Sequence, residues 1–256
     1  MPVNIQYRNQ HLNFFIPSWP VLYADNHLLA VYKPAGLLIQ GDRTGDISLF
    51  DLAGQWIKRQ YNKPGRVYVG MVHRLDRPVA GVVLFCRTSK AAGRISGQFR
   101  TGQPQKRYIA IVQGKIQPPD GRLVNHIERR GASGIIAHSA TAKSSEARLS
   151  YRCLDFRNNS SLVEIDLETG RHHQIRLQFS HIGHPVMGDL RYGAAGPLPE
   201  KQIALFAEQL TVIHPTLGQE LTFSSPLPRG WPWPDYKSAD DAPPWNWCEV
   251  EKVLEF

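Results

Sequence analysis

The chain has 256 residues, with 30 Lys plus Arg against 22 Asp plus Glu for a formal charge of +8, and 42% hydrophobic residues. That balance belongs to a globular chain rather than a disordered one, and at this size roughly 70–75% of the unfolded chain's surface can be buried, which is enough for a real core. The longest apolar run, Ala80 to Cys86, falls far short of the ~20 residues that span a bilayer, and the N-terminus lacks a cationic start followed by an apolar stretch, so neither a membrane span nor a secretory leader is expected.

In chain order, residues 1–20 read as an irregular leader ending at Pro20. Short runs rich in Val, Ile, Leu and Tyr then predict strands at Leu28–Tyr32, Val67–Val72, Val82–Cys86, Tyr108–Val112, Ala147–Leu154, Leu162–Leu167, Leu205–Ile213 and Glu220–Phe223. Two helices are predicted among them. One starts after Thr88-Ser89 and carries Ala91, Ile95 and Phe99 on one stripe. The other spans about His172 to Ile182, carries Ile175, Phe179 and Ile182, and stops at Gly183. Strands do not alternate with helices, so the expected fold is α+β, a mixed and largely antiparallel sheet with a few helices. The body ends near residue 230. Residues 231–256 form an acidic tail rich in Pro and Trp, expected to wrap over the body as a strap because apolar surface this dense is normally buried.

Cys86, Cys153 and Cys248 contain no C-x-x-C pair, which speaks against a zinc ribbon or a thioredoxin-like site. They read as reduced thiols of a cytoplasmic protein. Charge is uneven. Arg87, Lys90, Arg94, Arg100, Lys106 and Arg107 fall in one stretch without an acid, whereas the tail carries a net −4. A basic body suggests a polyanionic partner, because neutralised phosphates release counterions.

Four segments carry chemistry: Tyr32-Lys33-Pro34-Ala35-Gly36; His73-Arg74-Leu75-Asp76-Arg77-Pro78-Val79-Ala80-Gly81; Lys106-Arg107-Tyr108-Ile109-Ala110; and Gly170-Arg171-His172-His173-Gln174-Ile175-Arg176. Asp76 stands among cations that favour the charged form of a carboxylate. Such a group is either a structural ion pair or a nucleophile or base, and spacing leaves both open. Tyr108 alone reads equally as a core tyrosine. A zinc set of His172, His173, His181 and His184 is weighed and set aside, since His172 and His173 are expected on different sides of a helix and no Glu or Cys completes it.

The order and wording of the four segments resemble the RluA-type pseudouridine synthases, and the resemblance continues through His181-Ile182-Gly183-His184-Pro185, Gly188-Asp189 and His214-Pro215, over about residues 21–228. It implies a pseudouridine synthase catalytic domain at 21–230 that isomerises a uridine in a tRNA or large-subunit rRNA stem-loop, with no cofactor or metal. By the resemblance Asp76 is the catalytic aspartate, Tyr108 stacks on the target base, Arg176 pairs with the aspartate, and Arg74 helps displace the base. Lys33, Arg77, Arg87, Lys90, Arg94, Lys106, Arg107 and Arg171 are expected to contact RNA. Departures are Val79-Ala80, His172 and Leu205-Phe206-Ala207, where the family shows Thr-Ser, Thr and Leu-His-Ala. About twenty residues precede the first motif, too few to fold an additional RNA-binding module, and a monomer is expected. The alternative is a catalytically silent RNA-binding protein on the same fold.

Overall fold

Runs of β-branched and aromatic residues, cut by Gly and Pro, build one sheet that is covered on both faces. The computed structural model describes residues 21–42, 45–199, 202–225, 227, 231–233 and 236. In chain order the strands are β1 (Val21–Ala24), β2 (Leu28–Lys33), β3 (Gly70–Met71), β4 (Ala80–Cys86), β5 (Gln105–Gln113), β6 (Asp120–Arg130), β7 (Ser133–Ala137), β8 (Ser144–Arg157), β9 (Ser160–Leu167), β10 (Leu205–Ile213) and β11 (Glu220–Ser224). Their spatial order is β1-β2-β4-β10-β5-β9-β8-β6-β7, with β3 beside β4 and β11 beside β10. All of these pairs are antiparallel except β4 with β10. The expected α+β class with a mixed, largely antiparallel sheet is the observed one.

Every residue of β2 and β4 is buried, because helices and chain cover both faces. On one face, Leu29, Val31, Val83 and Phe85 pack with α1 (Leu49–Gln60) and α3 (Gln174–His181). On the other, Leu28, Ala30, Val82 and Leu84 pack against Ala91 and Ile95 of α2 (Ser89–Thr101). Two-sided burial erases the alternation of a half-exposed strand.

Helix α2 begins where expected, with Thr88 Oγ1 accepting the Ala91 N–H, and ends at Gly102 in the left-handed conformation. Three helices rather than two are present among the described residues. The missed one, α1, carries its own signal: Ser48 and Asp51 cap one another reciprocally, and Leu49, Leu52, Ala53, Trp56 and Ile57 form its buried stripe. The second predicted helix starts at Gln174 rather than His172, because His173 sits in the left-handed region at φ 54° and ends regular helical winding there. Strands β1, β6 and β7 also lie outside the predicted set, and the strand expected at Val67–Val72 shortens to β3.

Two glycines are forced. At Gly81 (φ +130°) a Cβ would lie 2.2 Å from the Ala207 carbonyl oxygen, where β10 runs beside β4. At Gly188 (φ +85°) it would lie 2.6 Å from the Gln202 carbonyl oxygen. The described part of the tail does act as a strap: Trp231 and Trp233, 5% and 4% exposed, pack with Ile109, Ile111, Leu162 and Phe206. Trp233 Nε1 donates to Asp155 at 3.2 Å. The leader, Trp245, Trp247 and Cys248 lie outside the described residues. Cys86 and Cys153 are free thiols, and burial pushes the Cys86 thiol up to about 12. Among the described residues no helix is long and apolar enough to cross a membrane.

Candidate active site

Asp76 sits in the loop between β3 and β4, and the core on both sides of that loop holds it in place. Leu75 and Val79 plug into the hydrophobic core, while the Val79 N–H donates to the Asp76 carbonyl at 3.0 Å and closes the turn between them. From below, the Lys33 ammonium donates to the carbonyls of Pro34, Arg77 and Val79 at 2.9, 3.0 and 2.7 Å. Lys33 is fully buried. It is therefore an anchor of the loop and not an RNA contact, which corrects the expectation from sequence. Burial pulls its pKa down to about 7, with the charge of Asp76 opposing. His73 latches the loop to β4 by accepting the Leu84 N–H at 2.9 Å, and its ring stacks on Phe99. Burial, then the charge of Lys106, pushes its pKa down to about 3, so the ring is neutral.

Arg176, on the first turn of α3, reaches Asp76 Oδ2 through Nη1 at 3.0 Å. The rest of its guanidinium is held by Asp189, with Nε to Oδ2 at 2.7 Å and Nη2 to Oδ1 at 2.9 Å. Burial alone would lower its pKa, but Asp189 and Asp76 together raise it. One guanidinium thus bridges a fully buried carboxylate and a partly exposed one, with its fork fixed by the bidentate pair. Asp189 entered the sequence reading only as part of a resembling segment. Its role is visible only once α3 and the 188–192 turn pack together.

Tyr108 of β5 pairs in register with Ala207 of β10, the strand that lies between β5 and β4. Burial and then the charge of Asp76 push its phenol upward, so it stays protonated. Asp76, Tyr108 and Arg176 all line one cleft of about 740 Å³. The three residues expected to carry the chemistry are therefore brought together from three separate elements. A second cleft of about 990 Å³ opens on the other side of the loop and shares Arg74, Asp76 and Arg176 with the first.

The basic residues divide. Arg74 is exposed and lines both clefts. Arg100, Lys106, Arg148 and Arg171 line the first. Lys106 donates to the Thr169 carbonyl at 3.1 Å, and burial followed by the Arg171 charge draws its pKa down to about 8. Arg171 donates to the Glu146 carbonyl at 2.9 Å. The others lie outside the first cleft, with Arg77 on the second. Arg77 ties Gly36 and Asp46 together at 2.8 and 3.0 Å. Arg87 lies just beyond the opposite end of β4 from the Asp76 loop, stacks on Tyr61 and donates to the Asp25 carbonyl. Arg94 donates to the Pro215 carbonyl. Arg107, on the alternate side of β5 from Tyr108, pairs with Asp166 and Glu164 at 3.3 and 3.8 Å. Lys90 is exposed on the first turn of α2, about 15 Å along the helix from Arg100. Of the cations in the Arg87–Arg107 stretch, only Arg100 and Lys106 line the first cleft, because a strand and a helix carry its first half away from it.

His172 and His173 do not face opposite sides of a helix. Both precede α3, and their rings stack at 3.7 Å. With Asp76 they bring three candidate ligand atoms, two ring nitrogens and one carboxylate oxygen, within 4.8 Å of one another. The Arg176 guanidinium on the same carboxylate oxygen places positive charge there, so the cluster suits a hydrogen-bonded anion better than a cation. His184 is turned to the Gln113 carbonyl at 2.8 Å, away from this cluster.

A family profile for RNA pseudouridylate synthase matches residues 27–181, which contain the Asp76 loop, Tyr108 and Arg176. A ribosomal large subunit pseudouridine synthase D of Nitrosomonas europaea is 32% identical over 220 residues, covering 81% of this chain and 62% of that protein, so the chain spans less than two thirds of that relative. A dual-specificity RNA pseudouridine synthase RluA of Haemophilus influenzae is 31% identical over 219 residues, covering 82% of this chain and 93% of that protein. Among solved structures, human RNA pseudouridylate synthase domain containing 4 shares the fold, with a TM-score of 0.69 at 24% identity over 82% of this chain and 88% of that one.

Proposed function

Because the chain belongs to the RNA pseudouridylate synthase family, of the RluA type, we propose that it isomerises a uridine of tRNA or large-subunit rRNA to pseudouridine, with Asp76 as the reacting carboxylate. The observation that carries this reading is the meeting of Asp76, Arg176 and Tyr108 in one cleft rimmed by Arg74, Arg100, Lys106 and Arg171. The reaction breaks the bond from ribose to the base nitrogen, turns the base and rejoins it through a ring carbon. Atoms and electrons balance within the nucleotide, and no outside acceptor is needed.

Each residue supports one requirement of that path. A uridine in a stem-loop leaves its stack at a cost of a few kcal/mol before chemistry begins. Arg74, exposed and shared by both clefts, fills the space it vacates in this reading. Asp76 offers an oxygen to the sugar as nucleophile or base. Arg176 compensates its charge through the hydrogen bond to Oδ2. The ring of Tyr108 offers the detached uracil a stacking surface, a contact of ~1–3 kcal/mol per base. Its hydroxyl stays protonated, held so by burial and then by the charge of Asp76.

Asp76→Asn tests the assignment, since it keeps side-chain size and removes the reactive oxygen. Single-turnover pseudouridine formation should fall by about 10⁴–10⁶-fold, as when other enzymes lose a catalytic group. Filter-binding affinity for RNA and the melting temperature should change little. A folded, RNA-binding variant with near-normal turnover would make Asp76 a structural ion pair and overturn the reading. Tight RNA binding without turnover by the unaltered protein would favour the silent RNA-binding alternative.

A further inference from the structure

The loop carboxylate meets a second side chain besides Arg176. His173 Nε2 lies 3.4 Å from Asp76 Oδ2, and its Nδ1 lies 2.7 Å from the Tyr192 hydroxyl. That hydroxyl also accepts the Gly134 N–H at 3.1 Å. A phenol has one proton to give, and the acceptor in reach among the described residues is His173 Nδ1. With Nδ1 as acceptor, the proton of the neutral ring sits on Nε2, the nitrogen that lies 3.4 Å from Asp76 Oδ2. The opposite tautomer would set a lone pair against the carboxylate. Burial pushes the imidazole down to about 4, with Asp76 opposing, so the ring is neutral at physiological pH.

Local structure is spent on holding this ring. His173 adopts φ 54° and ψ 28°, a left-handed conformation that costs a non-glycine residue roughly 1–2 kcal/mol. The His172 ring stacks on one face of the imidazole at 3.7 Å, and Tyr192 meets it edge-on at 5.6 Å. Tyr192 is anchored in turn, with Arg176 over its ring at 5.0 Å and its carbonyl accepting from Ser180 at 2.6 Å.

We propose that Tyr192 and His173 form a positioning relay that, together with Arg176, pins Asp76 Oδ2 and presents Oδ1 as the oxygen that meets the substrate. The proposal rests on the reading of Asp76 as the reacting carboxylate. The Arg176 hydrogen bond and the His173 contact both fall on Oδ2, and among the described residues no hydrogen bond reaches Oδ1. The 3.4 Å separation is longer than a formed hydrogen bond of 2.7–3.2 Å. Shortening it by a few tenths of an ångström would form that bond. No proton is transferred along the relay. His173 and Tyr192 act through Asp76 and are positioning residues.

Two experiments test it. In protein labelled with ¹⁵N-histidine, the His173 ring shifts at pH 7 should report the Nε2–H tautomer, with or without RNA. The Nδ1–H tautomer would overturn the relay whatever the enzyme's activity. In single-turnover assays, Tyr192→Phe, which preserves the ring and its packing, should slow pseudouridine formation about tenfold, and His173→Ala about a hundredfold, typical of a reacting group misplaced by an ångström. RNA affinity should hold in both. His173→Gln, whose amide N–H reaches toward the Nε2 position, should recover part of the loss. Tyr192→Phe should add nothing on the His173→Ala background, because Tyr192 acts only through His173. Losses that multiply, a Gln variant no better than Ala, or normal turnover in all three would overturn the proposal. An unaltered protein that turned over no RNA would instead sink the functional reading, and the tautomer would still decide the relay.

Discussion

At the scale of single residues, the site depends on buried groups whose protonation is set by what surrounds them. Near the Asp76 loop Lys33 and His173 are buried and His73 is half-buried, and desolvation is the leading cause of each lowered pKa. For the two histidines this makes stability depend on pH. Their folded values, about 3 and about 4, lie below the ordinary 6.5, so between these limits the unfolded chain binds more protons. The stability that comes from keeping the rings neutral is complete above pH 6.5 and is lost as pH falls toward 4. Linkage puts the loss at roughly 2 kcal/mol per ring by pH 5. His73→Gln keeps an acceptor for the Leu84 N–H and does not titrate. Its melting temperature should therefore fall less steeply than that of the unaltered protein between pH 7 and pH 5. Parallel slopes would show that His73 is not buried neutral. The identity of Asp76, Tyr108 and Arg176 as a group was legible in the motif wording, because each is embedded in its own distinctive segment. The roles of Lys33 and Asp189 were not, since a lysine in a motif looks like a surface cation until three carbonyls are seen to surround it.

At the scale of elements, the question is which charges α2 and the neighbouring strands deliver to the cleft. Helix α2 starts beyond the far end of β4 and returns toward the loop, so Arg100 in its last turn reaches the cleft while Lys90 and Arg94, in its first half, do not line it. Replacing Arg100 and Lys106 by Gln should weaken RNA binding and reduce the slope of log affinity against log salt by about two, one for each lost phosphate contact. Replacing Lys90 and Arg94 by Gln should leave affinity and slope unchanged. The reverse pattern would move the RNA path to the other end of the helix. Sequence placed six cations within twenty-one residues but could not assign them to sides. Successive strand residues alternate between faces, and a helix spreads its own around a cylinder, so closeness along the chain does not mean closeness in space. Arg107 and Tyr108, adjacent in sequence, show this directly: one forms an ion pair with Asp166, the other faces the site.

At the scale of the whole molecule, the described tail closes a core on the sheet face away from the Leu75–Val79 cluster. Trp231 packs edge-on against Phe206 at 5.8 Å, and Arg157 lies over the Trp233 ring at 4.4 Å. Trp231→Ala should lower stability by about 3–5 kcal/mol, the usual cost of emptying a buried aromatic site. Well below the melting temperature, turnover per folded molecule should be unchanged, since Tyr108 and the Leu75 and Val79 side chains that flank Asp76 belong with the other cluster. Normal thermal stability in this variant would show that the strap contributes nothing to the fold.

The sequence by itself determined the class of fold, most of the strands, helix α2 with its Thr88 cap, and the family, because these reside in local pattern and in ordered motif wording. It contained but did not announce α1, whose Ser48–Asp51 capping box and apolar stripe are plain once α1 is seen. Only the tertiary structure decided which cations face the cleft, that Lys33 lies beneath the loop, and that Asp189 and His173 hold the groups around Asp76. Those assignments join residues up to a hundred positions apart, as in the Arg176–Asp76 bond. They are fixed by the parallel neighbouring of β4 and β10 and by the packing of α3 against the sheet, which no local pattern of residues encodes.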